Sequence, residues 1–440
     1  MDKYIKDYIN FISTCKTERE CVDYMVEKAE KNGFTDIKKV IKENKKLLPG
    51  DKVYANNMGK NLLLMVVGEE DFENGINIIG SHIDSPRLDL KITPLYEKRG
   101  ICYLDTHYYG GIKKYQWVTR PLALHGVVCK KDGTKININI GENDDDPVFC
   151  ISDLLPHLDK TDKYDVTYNG EILDIIAGSV EIENEEAKEK VKENILKIFK
   201  EMNINEDDFI SAEIEAVPSG KAREMGLDRS MILGYGQDDR VCAFASATAI
   251  MELDKPLKTA ICMLADKEEI GSQGPTGMNS KFMENQIAEL YALVGGYSEL
   301  KLRRCLANSS MLSADVSACY DPSYDRASNY PTEAKINKGI SVNKYTGARG
   351  KSGANDANPE FIAKIRNILD NEGVMFQATE MGKVDQGGGG TIAHFVAEYG
   401  MEVLDAGTPV LSMHAPCEIT SKIDVYETYK CYKAYYKLYK

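Results

Sequence analysis

The stretch KTAICMLADKEEIGS (258–272) decides how this chain reads. Ala260 to Ala265 are apolar or small without a break, the mark of a short buried strand, and four charges follow at once. On its N-terminal side CAFASATAIMEL (242–253) reads as a helix, and on its C-terminal side KFMENQIAELYALV (281–294) reads as another. The rhythm continues with a strand in SSMLSADVS (309–317), helices in PEFIAKIRNILDNEG (359–373) and GTIAHFVAEYG (390–400), and a strand in PVLSMHAP (409–416). The tail KIDVYETYKCYKAYYKLYK (422–440) reads as a final helix. Strands alternating with helices predict a doubly wound α/β sheet covered on both faces.

Upstream, YIKDYINFI (4–12) and ECVDYMVEKAEKNGF (20–34) carry apolar residues at helical steps, with Gly33 as a stop. NLLLMVVG (61–68) and INIIGSHID (76–84) read as buried strands. Between about 93 and 231 the texture turns β-rich: GICYLDTHYYGG, PLALHGVVCKKDGTKININIG with a hairpin at KDGTK, and EILDIIAGSVEIE. One clear helix, EEAKEKVKENILKIFKEMN (185–203), interrupts it. The expected organisation is therefore an α/β domain of 1–92 and 232–440 with an inserted β-rich domain at 93–231.

With 440 residues, 43% apolar and 28% charged, the composition is that of a globular protein. A net charge of -14 argues against nucleic-acid binding. No apolar run is long enough to span a membrane, and the first residues lack a signal-peptide core. The 11 cysteines are scattered without a CxxC pair, which points to reduced thiols and a cytoplasmic setting rather than a disulfide framework or a thiolate zinc site.

Five apolar segments end in a metal-ligating residue type. INIIGSHID ends at His82 and Asp84, MILGYGQDD (231–239) at Asp238 and Asp239, and AICMLADKEE at Glu268 and Glu269; SSMLSADVS carries Asp315, and PVLSMH ends at His414. Sites in open α/β sheets form outside the carboxyl ends of the strands, so these residues can meet in one crevice. Histidine and carboxylate donors without cysteine suit a catalytic zinc site. Two Zn²⁺ would be balanced by Asp238, Glu269, Asp315 and one hydroxide, with His82 and His414 neutral. Asp84, two residues past His82, is placed to accept the other ring N–H of that histidine. Of the adjacent glutamates, one binds metal and the other is free to take a proton from water. Each motif alone also fits a blander role: a surface turn, a charged helix N-terminus or a solvated strand end. The five together point to a two-metal hydrolase.

At these residues the chain resembles the M18 family of metallo-aminopeptidases, the aspartyl aminopeptidase family. The matching stretches are GSHIDSPRLDLK (80–91), YYGGIKKYQWVTRPLALHGVV (108–128), GYGQDDR (234–240), DKEEIGS (266–272), LSADVSACYDPSY (312–324) and SMHAPCE (412–418). The resemblance implies a zinc-peptidase domain with a mixed, mainly parallel sheet, interrupted by a β-rich dimerisation domain, and a homo-oligomer, a dodecamer built from dimers. It implies that His82, Asp238 and Asp315 hold one metal and that Asp238, Glu269 and His414 hold the second. Glu268 is then the general base and Asp84 the residue that orients His82. FCISDLLPHL (149–158) resembles the family segment whose histidine, here His157, reaches a neighbouring active site. Lys344 resembles the lysine that meets an acidic substrate side chain. QDDR, GGGGTIAHF and HAPCE depart from the better-studied members, so their preference for acidic residues does not carry over. The expected substrate is a peptide with a free amino terminus, and the metal Zn²⁺, with Co²⁺ or Mn²⁺ also suited to these donors. An N-acyl amino acid or amide hydrolase on the same scaffold, and a non-catalytic oligomeric binding protein, are the alternatives.

Overall fold

A computed structural model describes residues 1–155, 157–158, 168–327, 329–347, 349–385 and 387–439. The chain divides into two compact units. One comprises Met1–Asp84, Ala222–Met413 and Glu418–Lys440; the other comprises Ser85–Lys221 with His414–Cys417. Strand pairing accounts for where the second unit begins and ends. Arg87–Lys98 pairs with Ile101–Tyr109 inside the second unit, whereas Arg223–Met225 pairs with Met231–Gly234 inside the first.

The first unit is built on a nine-stranded sheet. Its order is Thr35–Asp36, Lys52–Asn57, Asn61–Val66, Ala260–Ala265, Asn77–His82, Ser310–Ser313, Glu402–Gly407, Ile340–Asn343 and Phe376–Thr379. Five of the eight neighbour pairings are parallel, so the sheet is mixed and mainly parallel. The central strands are apolar throughout because both faces are covered. In Ala260–Ala265 the alternation splits cleanly: Ala260, Cys262 and Leu264 join one core, and Ile261, Met263 and Ala265 the other. The first core is covered by helices Asp2–Thr14, Glu18–Lys31, Gln237–Met251, Pro359–Asn371 and Lys422–Leu438. The second is covered by Ile37–Lys42, Phe282–Val294, Glu299–Ala307 and Ala393–Ala397.

Gln237–Met251 is buried on nearly every side, which explains its run of alanines. Tyr432, Tyr435 and Tyr436 of Lys422–Leu438 are buried with their hydroxyls satisfied. Tyr432 donates to the Ala406 carbonyl at 2.7 Å and Tyr436 to that of Ile261 at 2.9 Å, while Tyr435 shares a 2.7 Å hydrogen bond with Ser310. The helix expected over 390–400 shortens to Ala393–Ala397, because the glycine run before it does not sustain helix. A separate five-stranded sheet of the same unit has the order Arg223–Met225, Met231–Gly234, Glu418–Ser421, Pro409–Leu411, Ser317–Ala318.

The second unit is a six-stranded antiparallel sheet, ordered Lys135–Ile140, Leu122–Cys129, Ala212–Pro218, Arg87–Lys98, Ile101–Tyr109, Ile175–Gly178. The KDGTK turn closes the hairpin as read: Lys130 N–H donates to Thr134 at 2.8 Å, and Gly133 takes φ +88°. Helix Lys190–Glu201 buries Val191, Ile195 and Phe199. Among the described residues no helix is long and apolar enough to cross a membrane.

Candidate active site

Three of the five expected strand ends belong to adjacent parallel strands of the nine-stranded sheet. His82 ends Asn77–His82, Glu268 and Glu269 follow Ala260–Ala265 on a short 3-10 turn, and Asp315 lies two residues past Ser310–Ser313. The other two do not come from that sheet. Asp238 lies at the start of Gln237–Met251, after Met231–Gly234, and His414 follows Pro409–Leu411; both strands belong to the five-stranded sheet. The pattern of five strand ends in one sheet is thus corrected to three, with Asp238 supplied by the element after a strand of the second sheet and His414 grouped with the second unit.

His82 is the centre of the cluster. Its Nε2 lies 3.3 Å from Asp238 Oδ1, 3.9 Å from Glu268 Oε2 and 3.9 Å from Asp315 Oδ1. One donor atom each from His82, Asp238 and Glu269 lie within 4.8 Å of one another. Ligand atoms on one tetrahedral zinc stand about 3.4 Å apart, given metal–ligand bonds of about 2.1 Å. The His82–Asp238 spacing meets that requirement, so these residues fit a zinc ion.

Asp84 is fully buried and acts on two neighbours at once. Its carboxylate lies 3.3 Å from His82 Nδ1, and its carbonyl 3.1 Å from the same nitrogen, so Nδ1 carries the proton and Nε2 faces the cluster. The same carboxylate accepts the backbone N–H of Glu268 at 3.1 Å and of Glu269 at 3.2 Å. One buried side chain therefore sets both the histidine and the glutamate turn.

The electrostatics are those of crowded carboxylates. Burial first, and the Glu268 carboxylate next, push the Asp315 carboxyl well above the ordinary range. Burial lowers the His82 value, but its hydrogen bonds to the Asp238 and Asp84 carboxylates outweigh it and hold the ring well above its usual value. A divalent cation among these groups relieves the repulsion and favours neutral imidazole.

Sequence reasoning missed the supports. Asp239 accepts the His82 backbone N–H at 3.2 Å, and Glu418 accepts that of Asp238 at 3.0 Å. Arg240, fully buried, donates to the carbonyls of Ile83 and Lys16 at 3.0 and 2.9 Å. The contiguous QDDR was the available signal for two of these.

Gly407 has no positive φ to require glycine; its constraint is a close approach. A Cβ there would stand 1.8 Å from the Asp315 carbonyl oxygen. Gly407→Ala is expected to cost about 1–3 kcal/mol in stability and to displace Asp315, lowering kcat/KM. Thermal unfolding and kinetics check this, and an unchanged variant would refute it.

His414 groups with the second unit, where its Nδ1 lies 3.0 Å from the Gly111 carbonyl. His157, also in that unit, is exposed on a turn, next to Pro156 and 159–167, which lie outside the described residues. Lys344 is not brought to the cluster. From the paired row Gly80–Ser313–Asp405–Asn343, His82 and Asp315 lie two residues further in one direction and Lys344 one residue further in the other. Its Nζ stands 3.5 Å from Asp356.

A mainly parallel sheet with a buried His/carboxylate cluster at its carboxyl edge defines an α/β metallopeptidase. Residues 11–436 match the family model described as "Aminopeptidase I zinc metalloprotease (M18)". The chain belongs to this M18 family and is a zinc-metalloprotease-type aminopeptidase, a hydrolase acting on peptides. It is 55% identical to a probable M18 family aminopeptidase 1 of Clostridium acetobutylicum over 99% of this chain and 96% of that one. The crystal structure of an M18-family aminopeptidase from Thermotoga maritima superposes with TM-score 0.95 at 45% identity, covering 99% and 96% of the two chains. That of aminopeptidase I from C. acetobutylicum gives 0.91 at 54% identity, covering 97% and 94%.

Proposed function

We propose that the chain removes amino-terminal residues from peptides with two zinc ions and Glu268 as the proton acceptor. The observation that carries this is the convergence of Asp238, Glu268 and Asp315 within 3.9 Å of His82 Nε2, with Glu269 beside them. His82, Asp238 and Asp315 would hold one ion, and Asp238, Glu269 and His414 the other. The Gly111 contact on His414 Nδ1 supports Nε2 as its ligating atom. Zinc, when bound, polarises the scissile carbonyl and lowers the pKa of a water. Glu268 takes the proton of the attacking water and returns it to the leaving amine. Asp84 keeps Glu268 and His82 aligned through that cycle. Lys344 stays outside the proposed site.

The protein is further proposed to act in the cytoplasm as a homo-oligomer, up to the dodecamer that family resemblance implies. Leu154, Leu155 and Leu158 flank His157 at 56%, 54% and 65% exposure, a surface suited to another subunit. His157 would there assist a neighbouring site.

The test is a panel of unblocked aminoacyl substrates, acidic, basic and apolar, with and without chelator and added Zn²⁺, Co²⁺ or Mn²⁺. Chelator-sensitive release from unblocked substrates, with none from N-acetylated peptides, is the expected result. Release from acetylated substrates alone would move the reading to an N-acyl hydrolase.

A further inference from the structure

We infer that the hairpin turn Asn57–Asn61 is a clamp on the loop that carries Glu268 and Glu269, with Lys60 as its positioning residue; this rests on the roles proposed for those two glutamates. The loop leaves the sheet at Asp266 and returns at Thr276, where the Thr276 hydroxyl donates to the Asp266 carboxylate at 2.5 Å. The turn grips both ends. Asn57 Nδ2 donates to the Pro275 carbonyl at 2.8 Å, and Asn61 Nδ2 to that of Thr276 at 2.7 Å. At the other end Lys60 Nζ stands 2.9 Å from Glu18 Oε1 and 3.7 Å from Asp266 Oδ2, an oxygen that Lys267 Nζ of the loop itself also approaches to 3.5 Å.

The charges explain why a lysine is there. Glu18 and Asp266 are fully buried, and Lys60 is only 8% exposed. Two buried carboxylates facing each other repel, and a lysine between them removes that repulsion at the root of the loop. Burial first and Glu18 next push the Asp266 carboxyl up to about 6, against the pull of Lys60. Glu268 begins two residues past Asp266, so a shift at the root moves the glutamates directly. The backbone of the turn holds the lysine in place. Met58 and Gly59 take φ +58° and +71°, which turns the Lys60 backbone N–H onto the Asn57 carbonyl at 3.1 Å.

Lys60→Met is expected to lower kcat about 10²-fold, the cost of misplacing a catalytic group by about 1 Å, with KM nearly unchanged. Zinc affinity, read by chelator competition, should fall about tenfold through Glu269. Adding Asp266→Asn should restore part of kcat, because the repulsion from Glu18 that Lys267 alone does not offset is gone; a role confined to packing would show no such rescue. A folded Lys60→Met protein with wild-type kcat and zinc affinity would overturn the proposal. Should Lys60→Met fail to fold, Asn57→Ala removes one grip without touching a buried charge. It should lower kcat about tenfold, and an unchanged kcat would overturn the clamp. Glu268→Gln measured beside them separates the two readings. Wild-type turnover there refutes the proton-acceptor role, while an inactive Glu268→Gln beside an unaffected Lys60→Met refutes only the clamp.

Discussion

Glu268→Gln is expected to lower kcat by about 10²–10⁴-fold while the protein keeps its zinc. The substitution is nearly isosteric. The turn is anchored through backbone N–H groups, which donate to Asp84 at 3.1 and 3.2 Å and are untouched. The proposed metal ligands are also unchanged, so zinc content by atomic absorption should match wild type. What disappears is the only function assigned to this carboxylate, accepting a proton from water and passing it on. Substrate binding does not need that transfer, so KM should move little. Near-wild-type turnover in a zinc-loaded variant would remove Glu268 from the mechanism.

Asp84→Asn is expected to be nearly as damaging for a different reason. An amide can still accept one N–H, but its NH₂ group must face either the Glu269 N–H or the His82 ring N–H. Either juxtaposition sets donor against donor in a fully buried site. Loss of the ring partner should weaken zinc binding by about 10–100-fold. Displacement of Glu268 should add a comparable loss in turnover, so kcat/KM is expected to fall by about 10³-fold. Chelator competition and kinetics together check this. A variant with intact zinc affinity but poor turnover would show that Asp84 serves the glutamates alone.

Much of the site was legible because its chemistry is written in short motifs. HxD at the end of an apolar run, two adjacent glutamates after another and an aspartate after a third each marked a residue that the fold brings to the cluster. The parallel centre of the sheet was legible from βα alternation. What could not be read was pairing between distant segments. Nothing near residue 84 signals that its carboxylate holds the backbone of 268 and 269. Nothing near 340 signals that Ile340–Asn343 runs antiparallel to Glu402–Gly407, which turns Lys344 away from the cluster. The five-stranded sheet joins pieces as far apart as Arg223–Met225 and Glu418–Ser421, too short and too separated to reveal one another. Lys60 sits in a tight turn that reads as an ordinary solvated hairpin. Its burial depends on a loop made about 200 residues later.

The order of the central strands also governs how the chain emerges from the ribosome. The sheet neighbours of Asn77–His82 are Ala260–Ala265 and Ser310–Ser313. At translation speeds of about 5–20 residues per second, the strand bearing His82 waits for its first partner for roughly 10–40 s. Throughout that interval its apolar edges are open, and Ser85–Lys221 can complete its own sheet first. The candidate site is therefore a late product of biosynthesis: Glu268 and Glu269 arrive with the strand that first pairs beside His82, and Asp315 only after the strand on its other side.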